Sequence, residues 1–153
     1  MSGKAPGASL PVYVLDTSAL LTLTGDEPGA AQVQTLLRRA RRREATLYLS
    51  FMSVMEAGYQ AFQVDGAEGL AKLLGFLEEL PLQRVDVTDA LISQAAILKG
   101  TFRLSVADAW ILATAKSYGA TLVHKDPEFE QARAQVILQA LPYKRPPRTS
   151  PLL

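Results

Sequence analysis

Residues 12–15, Val-Tyr-Val-Leu, form an unbroken apolar run that ends on an acid, Asp16. Short continuous apolar runs of this kind suit a strand covered on both faces, and such strands belong to parallel sheets packed between helices. An acid ending a buried strand needs a partner for its charge. One short segment therefore limits the fold and also marks a site.

The rest of the chain repeats this alternation. The spacing of Ala30, Val33, Leu37 and Ala40 predicts a helix over about residues 28–43, and residues 46–50 read as a second strand. A helix from Ser53 to about Gln63 is followed by another through Leu70, Leu73, Leu74, Leu77 and Leu80, closed by Pro81. Residues 84–87 predict a third strand, and residues 89–98 a helix ended by Gly100. Residues 105–118 form a strongly apolar helix stopped by Gly119, and strands follow at 121–124 and 135–138. The expected class is α/β, with a mainly parallel central sheet whose sites form beyond the carboxyl ends of the strands. The 153 residues suit one domain, read as 11–143. Residues 1–10 and 144–153, rich in Gly, Pro, Ser and basic residues, read as flexible tails.

Composition removes several chemistries. The chain has no cysteine, which excludes disulfides, a thiolate nucleophile and cysteine-ligated metal centres. Its one histidine, His124, leaves no basis for a histidine-built zinc site. No apolar stretch approaches a membrane span or a signal-peptide core, so a cytoplasmic location is expected. A net charge of +1 does not by itself point to nucleic acid. Arg38, Arg39, Arg41, Arg42 and Arg43 nevertheless cluster, and Lys144, Arg145 and Arg148 follow in the tail. The arginine cluster reads either as a solvated helix end, where cations suit the dipole, or as a patch that contacts RNA phosphates.

Four acids stand near element ends: Asp16, Glu56, Asp108 and Asp126. Ser53–Glu56 and Ser105–Asp108 fit the spacing of a capping box, Asp126 precedes Pro127, and Asp16 can cap a turn starting at Thr17. Asp16, Glu56 and Asp126 fall at one edge of a parallel sheet. Helix 105–118 feeds the Asp126 strand, so its start is expected near the opposite edge unless the segment 99–104 crosses over. Converging carboxylates without basic neighbours repel one another, and a divalent cation such as magnesium or manganese removes that penalty. Phosphodiester hydrolysis uses such a site, because the cation activates water and stabilises charge on the phosphate.

The segments VYVLDTSALL (12–21), SFMSVMEAGY (50–59), LSVADAWILATA (104–115) and GATLVHKDPEFE (119–130) together resemble the PIN-domain family, specifically VapC-like toxins of toxin–antitoxin pairs. The resemblance covers about residues 11–143. It implies a three-layer α/β/α sandwich that gathers the four acids, Asp108 included, into one pocket. Asp16 and Asp108 would then be the main magnesium ligands, with Asp126 adding to the metal site directly or through water. Glu56 would hold a water at the metal or help to deprotonate it. Ser18 would support Asp16 by hydrogen bonding, and Thr17 would be structural. Many relatives carry Thr or Ser where this chain has His124, which removes a hydroxyl from that corner; His124 itself reads as a strand-end residue without a catalytic part.

The resemblance further implies an endoribonuclease using Mg(2+), or alternatively Mn(2+), in a homodimer silenced by a VapB-like antitoxin. Met55, Tyr59 and Phe62 are either core or interface residues. Rival readings are a housekeeping RNA-processing nuclease and a non-catalytic binding module. A phosphatase with an aspartyl nucleophile fits poorly, because Thr-Ser follows Asp16 where a second Asp would be expected.

Overall fold

The sheet runs in the order β3-β2-β1-β4-β5, and every pairing in it is parallel. The computed structural model describes residues 9–143; residues 1–8 and 144–153, which hold most of the predicted tails and Lys144, Arg145 and Arg148, lie outside the described residues. The strands are β1 (Val12–Leu15), β2 (Thr46–Ser50), β3 (Gln83–Val85), β4 (Thr121–His124) and β5 (Leu138–Ala140). The helices are α1 (Thr17–Leu20), α2 (Thr22–Gly25), α3 (Ala30–Arg41), α4 (Phe51–Glu79), α5 (Asp89–Thr101) and α6 (Val106–Ser117), with a 3₁₀ segment at Pro127–Ala132.

Adjacent strand residues alternate between two apolar layers. Val14 and Leu122 pack with Leu98, Ile111, Leu112 and Phe129 on the α5–α6 face. Leu15 and Val123 pack with Leu20, Val33, Leu37 and Ala57 on the face covered by α1, α3 and α4. The architecture is thus a three-layer α/β/α sandwich, and β1 and β4 are apolar on both sides because both sides are covered. The chain builds outward from β1 to β3, then returns to place β4 on the other flank of β1. The carboxyl ends of β1 and β4 therefore flank the switch point, where loops diverge and leave a crevice.

Several boundaries differ from the sequence expectation. The two predicted helices 53–63 and 70–80 are arms of α4, which begins at Phe51 and breaks at Asp65 (φ −141°) and Gly66 (φ 63°, ψ −153°). Ser50 caps α4 through Met52 N, so Ser53 is not a cap and Glu56 lies beyond the first turn. β5 falls at 138–140 instead of 135–138, because Val136 is taken up by the apolar layer after the 3₁₀ segment. Helix α6 was expected to start near the opposite edge. Three residues separate its end from β4, and it runs antiparallel to that strand, so its first turn stands at the carboxyl edge.

The arms of α4 approach each other closely where Gly69 faces Ala61. A Cβ on Gly69 would lie 2.6 Å from the Ala61 carbonyl oxygen. Backbone cannot retreat as a side chain would, so Gly69→Ala is expected to destabilise the fold by about 2 kcal/mol. Equilibrium urea denaturation checks this, and an unchanged midpoint would refute the close approach.

Candidate active site

The carboxyl ends of β1 and β4 open into a cleft of about 1040 Å³ whose lining includes Asp16, Glu56, Asp108, Lys125, Asp126 and Tyr143. All four acids singled out in the sequence face this one cleft. Asp16 arrives from the end of β1, Glu56 from α4, Asp108 from the first turn of α6, and Asp126 from the turn after β4.

Asp16 and Asp126 each cap an element with the side chain, Asp108 is placed by a cap on its backbone, and Glu56 is held by Thr17. Asp16 Oδ2 accepts the Ser18 backbone N–H at 3.1 Å and a short hydrogen bond from the Ser18 hydroxyl. The same Ser18 Oγ accepts the backbone N–H of Lys125 at 3.0 Å, so one hydroxyl ties the end of β1 to the end of β4. Ser105 Oγ caps α6 through Asp108 N at 3.0 Å, and Asp126 Oδ1 caps the 3₁₀ segment through Glu128 N at 2.9 Å. Thr17 Oγ1 lies 2.7 Å from Glu56 Oε1 and 2.9 Å from the buried Ser53 Oγ. A carboxylate can only accept, so the Thr17 proton goes to Glu56 and Ser53 completes the relay.

His124 is fully buried, and its Nδ1 accepts the backbone N–H of Asp126 at 3.1 Å. The imidazole thus supplies the acceptor that pins the Asp126 turn where a hydroxyl was expected. Its Nε2 lies 3.3 Å from Glu130 Oε1 without hydrogen-bond geometry. Burial holds the His124 pKa below its ordinary value, against the opposing charge of Glu130.

The acids crowd one another. Burial raises the Asp16 pKa to about 6, against the hydrogen bonds from Ser18 and with a smaller push from Glu56. Burial raises the Asp108 pKa to about 7, reinforced by the charges of Asp16, Asp126 and Glu56. Lys125 also lines the cleft, but its buried ammonium is bound to Glu27 Oε2 at 3.3 Å and to the Pro28 carbonyl at 2.9 Å. The compensating charge is therefore absorbed at the cleft wall.

Among the described residues, one carboxylate oxygen from each of Asp108, Asp126 and Glu128 falls within 4.8 Å of the others. Such an all-oxygen donor set fits a hard divalent cation that keeps some of its waters. Glu128 escaped the sequence reading. Its signal was the Asp-Pro-Glu spacing, which brings two acids to one side of the capped turn.

The PIN-domain family profile matches residues 13–135. This chain belongs to the PIN-domain family. The PIN domain is similar in structure to a chain of the VapBC2 complex from Rickettsia felis bound to promoter DNA, with a TM-score of 0.71 and 18% identity over 86% of this chain and 99% of that one. It is also similar to DNA-bound VapBC from Salmonella typhimurium, with a TM-score of 0.69 and 19% identity over 86% and 98% of the two chains. VapC20 of Mycobacterium tuberculosis, described as a toxin cleaving the sarcin–ricin loop, gives a TM-score of 0.59 and 17% identity over 78% and 94%. At these identities the likeness is one of fold. No curated protein matches the chain in sequence.

The arginine cluster does not join the cleft of this PIN domain. α3 ends at Arg41 and leads into the start of β2, where Thr46 N bonds Pro11 O at the amino edge of the sheet. Arg39 is held at Tyr13, and Arg41 reaches the Glu79 carbonyl. Arg38, Arg42 and Arg43 are exposed on that far edge.

Raised carboxyl pKa values mean that the folded, cation-free protein keeps protons that the unfolded chain releases. The contribution of Asp16 and Asp108 to stability is thus fully present below the unfolded value of 3.8 and is lost as pH rises through about 6 and about 7. Melting temperatures in EDTA are expected to fall across this range, and magnesium to raise them most at its upper end, where binding displaces fewest protons. A flat EDTA profile in differential scanning fluorimetry would contradict the crowding.

Proposed function

We propose that this PIN domain is a divalent-cation-dependent endoribonuclease, the toxin of a toxin–antitoxin pair. The observation that carries the reading is the convergence of Asp16, Glu56, Asp108 and Asp126 on one cleft, where the buried Lys125 ammonium is already bound to Glu27. Asp16, Asp108 and Asp126, with Glu128 beside them, would hold Mg(2+) or Mn(2+). When bound, the cation would neutralise the carboxylates and polarise the phosphodiester.

The chain's own residues do the rest. Glu56 takes a proton from the attacking water, and Thr17 and Ser53 hold its carboxylate in place. Ser18 orients Asp16 and keeps β1 and β4 in register at the cleft. Substrate access depends on charge balance, because of the two lysines lining this cleft Lys125 is bound to Glu27 and Lys72 pairs with Glu68. The far-edge arginines take no part in positioning the scissile bond.

Partners follow from surface and likeness. Met55, Tyr59 and Phe62 are exposed instead of core, and with Leu70 and Leu74 they line an apolar groove of about 520 Å³ on the outer side of α4. A second copy of the chain covering this groove gives the homodimer. The VapBC complexes with similar chains support a VapB-like antitoxin for this protein. Among the described residues no helix is long and apolar enough to cross a membrane, and the cytoplasm is the proposed site of action.

Magnesium-dependent cleavage of single-stranded RNA is expected to vanish in Asp16→Asn and Asp108→Asn, and to fall about 100-fold or more in Glu56→Gln. Induced expression of the wild type should arrest growth, whereas Asp16→Asn should not. Full cleavage by folded Asp16→Asn and Asp108→Asn would refute the nuclease reading; active protein that leaves growth untouched would favour RNA processing. Separately, Tyr59→Arg with Phe62→Arg is expected to halve the mass measured by light scattering. A dimer that survives both charges would place the interface elsewhere.

A further inference from the structure

We infer that Tyr143 is the base-stacking residue of the cleft, taking one unpaired nucleobase of an RNA strand beside the carboxylates; this rests on the nuclease reading. Tyr143 lies just beyond β5, whose parallel pairing with β4 delivers it to the carboxyl edge. Leu141 N bonds the His124 carbonyl at 2.8 Å, which anchors the segment two residues before the tyrosine. Among the described residues lining the cleft, Tyr143 carries the one aromatic side chain.

The Tyr143 ring lies 6.3 Å from the buried His124 ring at an interplanar angle of 38°, and 41% of the residue remains exposed. A partly exposed aromatic ring on a cleft wall offers a surface to bases stripped from a strand, which bind such rings by stacking. Stacking suits this wall for an electrostatic reason. A neutral ring holds a base without adding charge to a cleft already crowded with carboxylates, whereas a further acid or amide would have to recognise base edges against that field.

Size agrees. A cleft of about 1040 Å³ is at the upper end of ligand pockets and exceeds what one phosphate requires, so it has room for nucleotides flanking the scissile bond. The family match ends at residue 135, before Tyr143.

The test uses the full chain and a short single-stranded RNA carrying 2-aminopurine, bound in calcium to prevent turnover. Wild type, Tyr143→Phe and Tyr143→Trp should quench the probe at one position, and Tyr143→Ala should not. In magnesium, Tyr143→Ala should raise KM about tenfold and leave kcat nearly unchanged. An abasic nucleotide at the quenched position should erase the difference between wild type and Tyr143→Ala. Equal quenching and equal KM in Tyr143→Ala would overturn the inference, as would a Phe variant impaired as strongly as Ala, which would assign the role to the hydroxyl. Wild-type cleavage that ignores Tyr143 sinks this proposal alone. A wild type that neither binds nor cuts RNA sinks the nuclease reading with it.

Discussion

The Ser18 hydroxyl occupies the position on which the site depends. It donates to Asp16 at the end of β1 and accepts from the backbone of Lys125 at the end of β4, the two strands that flank the reversal of the sheet. Without that link, Asp16 would bring a buried charge to a seam held only by backbone pairing. With it, the carboxylate is solvated by protein, and the two strand ends are set at a fixed distance. Acids that repel one another can stay together because the sheet and its caps leave them nowhere to go. Burial, reinforced by that repulsion, raises the pKa values of Asp16 and Asp108, and a bound cation would relieve both.

The central strands and the acids at their ends were legible in the sequence for one reason. A strand covered on both faces must be apolar throughout, so an acid directly after Val-Tyr-Val-Leu is conspicuous. Asp108 was harder. Its capping relation with Ser105 is real, and the same residue also faces the cleft, so the two readings were never exclusive. What misled was the direction of α6: a helix feeding a parallel strand runs back along it and begins at the carboxyl edge. The recognised motifs placed Asp108 correctly because they carry that topology implicitly.

Other features had no local signal. Ser50 and Ser53 are equally good caps by type, and only the end of β2 decides between them. His124 looked incidental, yet its ring fixes the turn that carries Asp126. Tyr143 follows a short strand of mixed burial, and its place in the cleft depends on β5 pairing with β4, a long-range contact that periodicity does not report. The arginine cluster read as a helix end or a phosphate patch; topology sets it at the edge remote from the acids, which favours the first.

The broken helix α4 has two working surfaces. Gln60, Ala61, Gly69 and Lys72 look into the cleft, while Met55, Tyr59, Leu70 and Leu74 line the outer groove. A wall one helical hairpin thick thus separates a polar cavity from an apolar one, and its arms are joined at Gly66 and held backbone to backbone at Gly69. Any occupant of the groove that alters the angle between the arms must also reshape the cavity behind them. Thermodynamic linkage makes the effect reciprocal: filling the cavity then changes affinity at the groove by the same factor. The hairpin is in that sense a diaphragm between a polar cavity and an apolar groove.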